Sequence, residues 1–166
     1  VEEISPEDYV PVFLPFLMAS NVNPRAQSCF IGLKASHTRK HLARSVFEGI
    51  TFGHRYHLDK LLATRPERPE AIRLVGGAAR ARVWAQMFAD VMQLPVEVIP
   101  TGEAGALGCA ILAACAAGEY PSVESAAANM TKISKIFLPD AGRKAVYDAK
   151  YRAYLDAVGT LDGLWD

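Results

Sequence analysis

Apolar and polar positions follow two periods along this chain. Residues 10–18, VPVFLPFLM, and 28–33, SCFIGL, are short apolar runs of strand length. From about 37 to 62, Leu42, Val46, Ile50 and Phe52 recur near helical spacing and predict one long helix. The Pro-rich RPERPE at 65–70 reads as a turn, followed by a strand at 72–75 and a helix at 80–93. Pro95 introduces a strand at 96–99, and a small-residue helix at 104–117 comes next. A short helix at 123–130 and a strand at 133–138 follow. The last element is an exposed helix at 143–158, in which Tyr147, Tyr151 and Tyr154 recur at three- and four-residue steps. Strand and helix alternate, which places the chain in the α/β class. No internal repeat, low-complexity tract or composition-marked linker interrupts the pattern, so it reads as one domain or a large piece of one.

The most informative stretch is IRLVGGAARARVWAQMFAD, residues 72–90, which runs from strand through a paired-glycine turn into an amphipathic helix. Gly76 and Gly77 lack Cβ atoms, so the chain can turn sharply there and approach a ligand closely. The N–H groups that open the next helix suit an anionic or polar group. A second turn of this kind occurs at Gly102, where TGEAGALGCAILAACAAG leads into another apolar helix. Two such mouths, close in sequence, predict one pocket.

Composition narrows the partners. The 166 residues are 51% hydrophobic, ample for a packed core, and Lys plus Arg equals Asp plus Glu at 18 each. No overall field draws the chain to nucleic acid or to an anionic membrane. The longest uncharged apolar run, 104–118, falls short of the roughly 20 residues of a membrane span and reads as a buried helix. VEEISPEDYV at the start is acidic and without the apolar core of a signal peptide, which makes a cytoplasmic location the default. With no initial Met, the chain reads as the interior of a longer protein. Cys29, Cys109 and Cys115 form no CxxC and read as small core residues. His37 with His41, and His54 with His57, have spacings that can share a helix face, but no HExxH or Cys cluster supplies further ligands, so no metal is assigned.

No GxGxxG follows a strand and no GxxxxGK[ST] occurs, which argues against a nicotinamide-dependent enzyme and a P-loop alike. SCFIGLKASHTRKHLARSVFE, residues 28–48, instead resembles the signature of the FGGY carbohydrate kinases, with Gly32-Leu33, a spacer ending at His41-Leu42, and an Ala/Ser, apolar, acidic finish. GGAARARVWAQMFADVMQLPVEV resembles the adenosine motif of that family, and EAGALGCAILAACAAGEY the helix after it. The three motifs keep the family's order and spacing.

The resemblance implies an actin-like ATPase fold of the ribonuclease-H type, with residues 1–166 a partial C-terminal domain of a two-domain sugar kinase. ATP and Mg²⁺ are the implied cofactors, and a small sugar and the chain's own N-terminal domain the implied partners. The catalytic aspartate of the family lies in that N-terminal portion, so no catalytic residue is assigned and the fragment alone is expected to be inactive. Carried over by position, Gly76, Gly77 and Ala78 line the adenosine and α-phosphate site, with Ala79, Arg80 and Ala81 at the helix start beside the base. Ala81 stands where many relatives have Ser or Asn, which leaves adenine to apolar packing and backbone groups. Arg80 and Arg82 are cationic neighbours, more often solvated than bound to phosphate. Glu103 reads as a helix cap, Ser36 or Thr38 as the cap of the long helix, and Asp90 as structural or superficial. PFLMASNVNPRA, residues 15–26, is similar to the L-xylulose and related ketose kinases. The alternative is a non-catalytic actin-like interaction or homodimerisation module, using the tyrosine-bearing C-terminal helix and Leu164-Trp165 as its surface.

Overall fold

The computed structural model describes residues 1–20, 23–65, 67–99 and 102–165. Parts of three sequence features fall outside these residues: 21–22 of PFLMASNVNPRA, Pro66 of the RPERPE turn, and Thr101 at the head of the second glycine turn. The chain divides into two compact units, where the sequence reads as a single domain. One comprises Val1–Arg68, Asp90–Gln93 and Pro139–Asp166, the other Pro69–Ala89 and Leu94–Leu138. One boundary, between Arg68 and Pro69, falls in the Pro-rich RPERPE turn, and another passes through the interior of a helix, between Ala89 and Asp90.

In the first unit, strands β1 (Val12–Leu14) and β2 (Cys29–Ile31) pair antiparallel, Phe13 opposite Phe30. Helix α1 (Arg39–Leu62) packs on β1, and so does the last helix of the chain, Lys144–Leu161. Thr38 is the N-cap of α1: its N–H donates to His41 Nδ1 at 3.1 Å, so an imidazole plays the part usually taken by Glu or Gln. Gly49 lets α1 approach β1, since a Cβ there would stand 2.2 Å from the Phe13 carbonyl oxygen.

The buried stripe of α1 departs from the apolar pattern. Of the four residues that set the predicted stripe only Phe52 is buried, and it shares the interior with Arg44, Ser45, Glu48, Gly49 and Thr51. Charge is tolerated there because it is paired on every side. Arg44 Nε donates to Glu48 at 2.8 Å and its Nη2 to the Tyr147 hydroxyl at 2.9 Å, while Lys150 donates to both Glu48 oxygens at 2.9 and 3.1 Å. Removing one partner of such a group leaves an uncompensated buried charge, at a cost of about 3–5 kcal/mol. The C-terminal helix is not an exposed one: Tyr147, Tyr151 and Tyr154 are buried, the last two against Phe52. Their phenols are amphipathic, which is why three- and four-residue spacing alone could not say which way they face. Asp90 is structural, almost fully buried, accepting the Asp140 N–H at 2.9 Å and pairing with Arg143 at 3.0 Å.

The second unit is a three-stranded sheet in the order β3–β4–β5. β3 (Ile72–Leu74) and β4 (Val96–Val98) are parallel, with Ile72 opposite Val96, and β5 (Lys135–Phe137) runs antiparallel to β4. The connection from β3 to β4 is helical. The predicted helix over 80–93 is α3 (Arg82–Met92), preceded by a separate turn of helix, α2 (Gly77–Arg80), with Ala81 between them in an extended conformation. Ala81 acts as the N-cap of α3 through its carbonyl, which accepts the N–H groups of Trp84 and Ala85 at 2.9 Å each. Ala85, Met87, Phe88 and Ala89 of α3 are buried.

Helices α4 (Ala104–Ala116) and α5 (Val123–Met130) pack on each other, and α6 is the C-terminal helix named above. α4 is not the buried helix its composition predicts: Ile111 alone is buried, and Leu112 is 59% exposed. Hydropathy reports a preference for burial, not whether a covering surface is present. Cys109, on the same helix, is exposed rather than in the core, and Cys29 and Cys115 are half-buried. Among the described residues no helix is long and apolar enough to cross a membrane.

Candidate functional site

β3 and β4 are parallel, so their carboxyl ends lie at the same edge of the sheet, the edge at which open α/β sheets bind ligands. Both glycine turns are found there. β3 leads through Val75 to Gly76, whose φ of 79° and ψ of −153° fall in a region open essentially to glycine alone. Gly77 then begins α2. A Cβ placed on Gly77 meets no atom within 4 Å, and its φ is not in the left-handed region. Neither backbone strain nor a protein neighbour therefore accounts for the missing side chain at 77, and the space before it is open to a close approach from outside.

α2 is a single turn of four residues, so the macrodipole expected from a long helix is replaced by a short one. What remains for an anion is the set of N–H groups that open the turn, those of Gly77, Ala78 and Ala79, which have no acceptor within a helix so short. Ala78, Ala79 and Ala81 are half-buried and Arg80 is exposed.

The second turn follows β4 at Gly102 and opens α4 at Glu103. Arg80 joins the two turns: its Nη2 donates to the Gly102 carbonyl oxygen at 3.2 Å. The two turns are thus linked by a specific contact. Glu103 occupies the N-cap position, but its side chain makes no cap hydrogen bond; the cap contact is its carbonyl, which accepts the Leu107 N–H at 3.0 Å. With a φ of −122° and ψ of 64° it is held away from the extended conformation usual for a side-chain cap. Sequence reasoning misses the Arg80–Gly102 contact, because the residues are 22 positions apart and only the parallel register of β3 and β4 brings them together.

The histidines are engaged in local structure. His37 Nδ1 accepts the Lys34 N–H at 3.1 Å and its ring stacks on Tyr9, while His41 serves the Thr38 cap. Among the described residues no three His, Cys, Asp or Glu side chains gather as metal ligands. A cavity of about 380 Å³ in the first unit, lined by Phe16, Ile50, His54 and Tyr154 among others, includes no residue of either glycine turn.

Comparison with known proteins places this chain in a family. The sequence model of the C-terminal domain of the FGGY family of carbohydrate kinases matches residues 7–117. The chain is 35% identical over 151 residues to the L-xylulose/3-keto-L-gulonate kinase of Escherichia coli (strain K12), an overlap covering 91% of this chain and 30% of that protein. It is 33% identical over 164 residues to the probable L-xylulose kinase of Haemophilus influenzae, covering 99% and 33%. The crystal structure of xylulose kinase from Rhodospirillum rubrum superposes with a TM-score of 0.83 at 29% identity, over 99% of this chain and 33% of that one. The chain spans about a third of the length of these relatives. Motif order, family match and fold agree, and the chain belongs to the FGGY family of carbohydrate kinases, with the sequence of its C-terminal domain.

Proposed function

We propose that residues 1–166 are the nucleotide-holding part of a two-domain sugar kinase with an actin-like, ribonuclease-H-type fold. The whole enzyme would transfer the γ-phosphate of MgATP to a hydroxyl of a small sugar, with a ketopentose such as xylulose the first choice. The observation that carries this reading is the open Gly76-Gly77 turn at the carboxyl end of β3, joined through Arg80 to the Gly102 turn after β4.

The residues fit a nucleotide on their own chemistry. Open space before Gly77 admits a phosphate to the N–H groups of Gly77, Ala78 and Ala79 without a cationic side chain, and Ala78 and Ala81 offer small apolar faces to a base. Bound MgATP would supply the transferable phosphoryl group. Mg²⁺ would be carried by the nucleotide phosphates and water, as this cation commonly is, and not by a carboxylate cage here. Phosphoryl transfer depends largely on positioning and charge stabilisation, so a domain that fixes the nucleotide contributes to the rate without owning the base. The base and most of the sugar pocket belong, on this reading, to the N-terminal domain, and this chain alone turns nothing over.

Two similarities support the ketopentose: the names of the E. coli and H. influenzae relatives, and the PFLMASNVNPRA segment. The full-length protein assayed for ADP release over a panel of D-xylulose, L-xylulose, L-ribulose and polyols should show highest kcat/KM for one ketopentose. Preference for a polyol would overturn the substrate, and absence of phosphorylation with any sugar would overturn the kinase. The interaction-module alternative loses its tyrosine surface, because those side chains lie in the core of the first unit.

A further inference from the structure

Gly102 is crowded by a side chain: a Cβ there would stand 2.7 Å from Arg80 Nη2 and 3.6 Å from the guanidinium carbon. The position is small because the guanidinium of Arg80 lies against it, donating to the Gly102 carbonyl oxygen at 3.2 Å. Arg80 closes α2 directly after the Gly76-Gly77 turn, and Gly102 precedes α4. The two turns also follow the parallel strands β3 and β4, whose register sets the strand ends side by side.

We infer that Arg80 is a positioning residue, a latch that fixes the separation of the two glycine turns and so the width of the nucleotide site, and that Gly102 is its matched receptor. The inference rests on the nucleotide reading and departs from the expectation for a cation beside a phosphate site. A phosphate ligand acts on the charged end of the nucleotide only. A latch acts on the whole cradle, so its loss weakens adenosine and ADP by the same factor. Arg80 and Gly102 also act as one unit, so breaking either member gives the full effect and breaking both adds nothing.

The test uses the full-length protein with Arg80→Met, Gly102→Ala and the double variant, titrated with ADP and with adenosine. The atoms a Cβ at 102 would meet are the far end of a flexible exposed side chain, so Gly102→Ala displaces the guanidinium and spares the fold, with the thermal midpoint as control. Each single variant should lose about fivefold to tenfold in affinity for both ligands, the scale of one solvent-exposed intramolecular hydrogen bond. The double variant should lose no more than either single one. In turnover, KM for ATP should rise by the same factor with kcat unchanged. Loss of ADP affinity with adenosine unaffected would make Arg80 a phosphate ligand and overturn the latch. Additive losses, or none, would overturn it as well. Gly77→Val in the same series separates the two levels: if it leaves ADP affinity intact, the nucleotide reading itself fails, whatever Arg80 does.

Discussion

Three phenols of α6 lie in the core of the first unit, and their ionisation is tied to its folding. Burial pushes Tyr147 from an ordinary value of 10.0 up to about 12, with Arg44 pulling the other way and Glu48 and Asp90 adding to the rise. Burial raises Tyr154 to about 12, and raises Tyr151 with the help of its hydrogen bond to the Asp59 carboxylate. In each case the folded state favours the neutral phenol, so the unfolded chain releases protons first. The stabilisation is complete below pH 10 and is lost as the pH rises from about 10 toward 12. NMR of ring-labelled tyrosine should show Tyr147 and Tyr154 neutral above pH 10 and ionising only as native dispersion collapses. Reversible ionisation of both near pH 10 in a folded molecule would contradict the packing described. At this scale the sequence is legible where backbone chemistry forces a residue, as at Gly76, and where a pair such as Gly76-Gly77 stands between two periodic segments. It is illegible where a residue is chosen by a distant neighbour. Nothing local marks Gly102 as the receptor of Arg80, or Glu48, a legible i,i+4 partner of Arg44, as the acceptor for Lys150 as well.

Elements were easier to read than their boundaries. β1, β2, β3, β4, β5, α1, α4, α5 and α6 all lie where the apolar periods put them, shortened or shifted by a few residues at the ends. The break between α2 and α3 was hidden because Ala and Arg are among the best helix formers, and AARARVW contains neither Pro nor a polar cap. The helix is interrupted at Ala81 all the same, where tertiary packing overrides propensity and a backbone carbonyl replaces the side-chain cap. The exposure of α4 was hidden for the opposite reason, since its sequence is apolar throughout and states no direction. Packing of α1 on β1 supplies the sharpest prediction at this scale. Gly49→Ala in the full-length protein would put a methyl 2.2 Å from a backbone oxygen that cannot rotate away, so helix and strand must separate. A loss of about 3 kcal/mol, the upper end of the overpacking range, is expected in denaturant unfolding. A change below about 0.5 kcal/mol, the level of an ordinary surface substitution, would show that α1 does not lie so close to β1.

For the whole molecule, α/β class, family and the place of the two glycine turns were within reach of the sequence, because each depends on short contiguous motifs. The division into two units was legible at one boundary only, the Pro-rich turn between Arg68 and Pro69; another cuts α3 between Ala89 and Asp90. That cut is a fact of three-dimensional contact with no compositional mark. Sharing about a third of the length of its relatives, the chain holds both glycine turns of the proposed nucleotide site. Nucleotide binding at this turn is decided by calorimetric titration of the full-length protein with ADP, beside its Gly77→Val variant and with NAD as control ligand. ADP should bind, and its affinity should fall by at least about tenfold when a valine side chain occupies the space before the turn, the scale of a lost close contact, with no binding of NAD. Unchanged ADP affinity in the variant, or preference for NAD over ADP, would contradict the nucleotide reading.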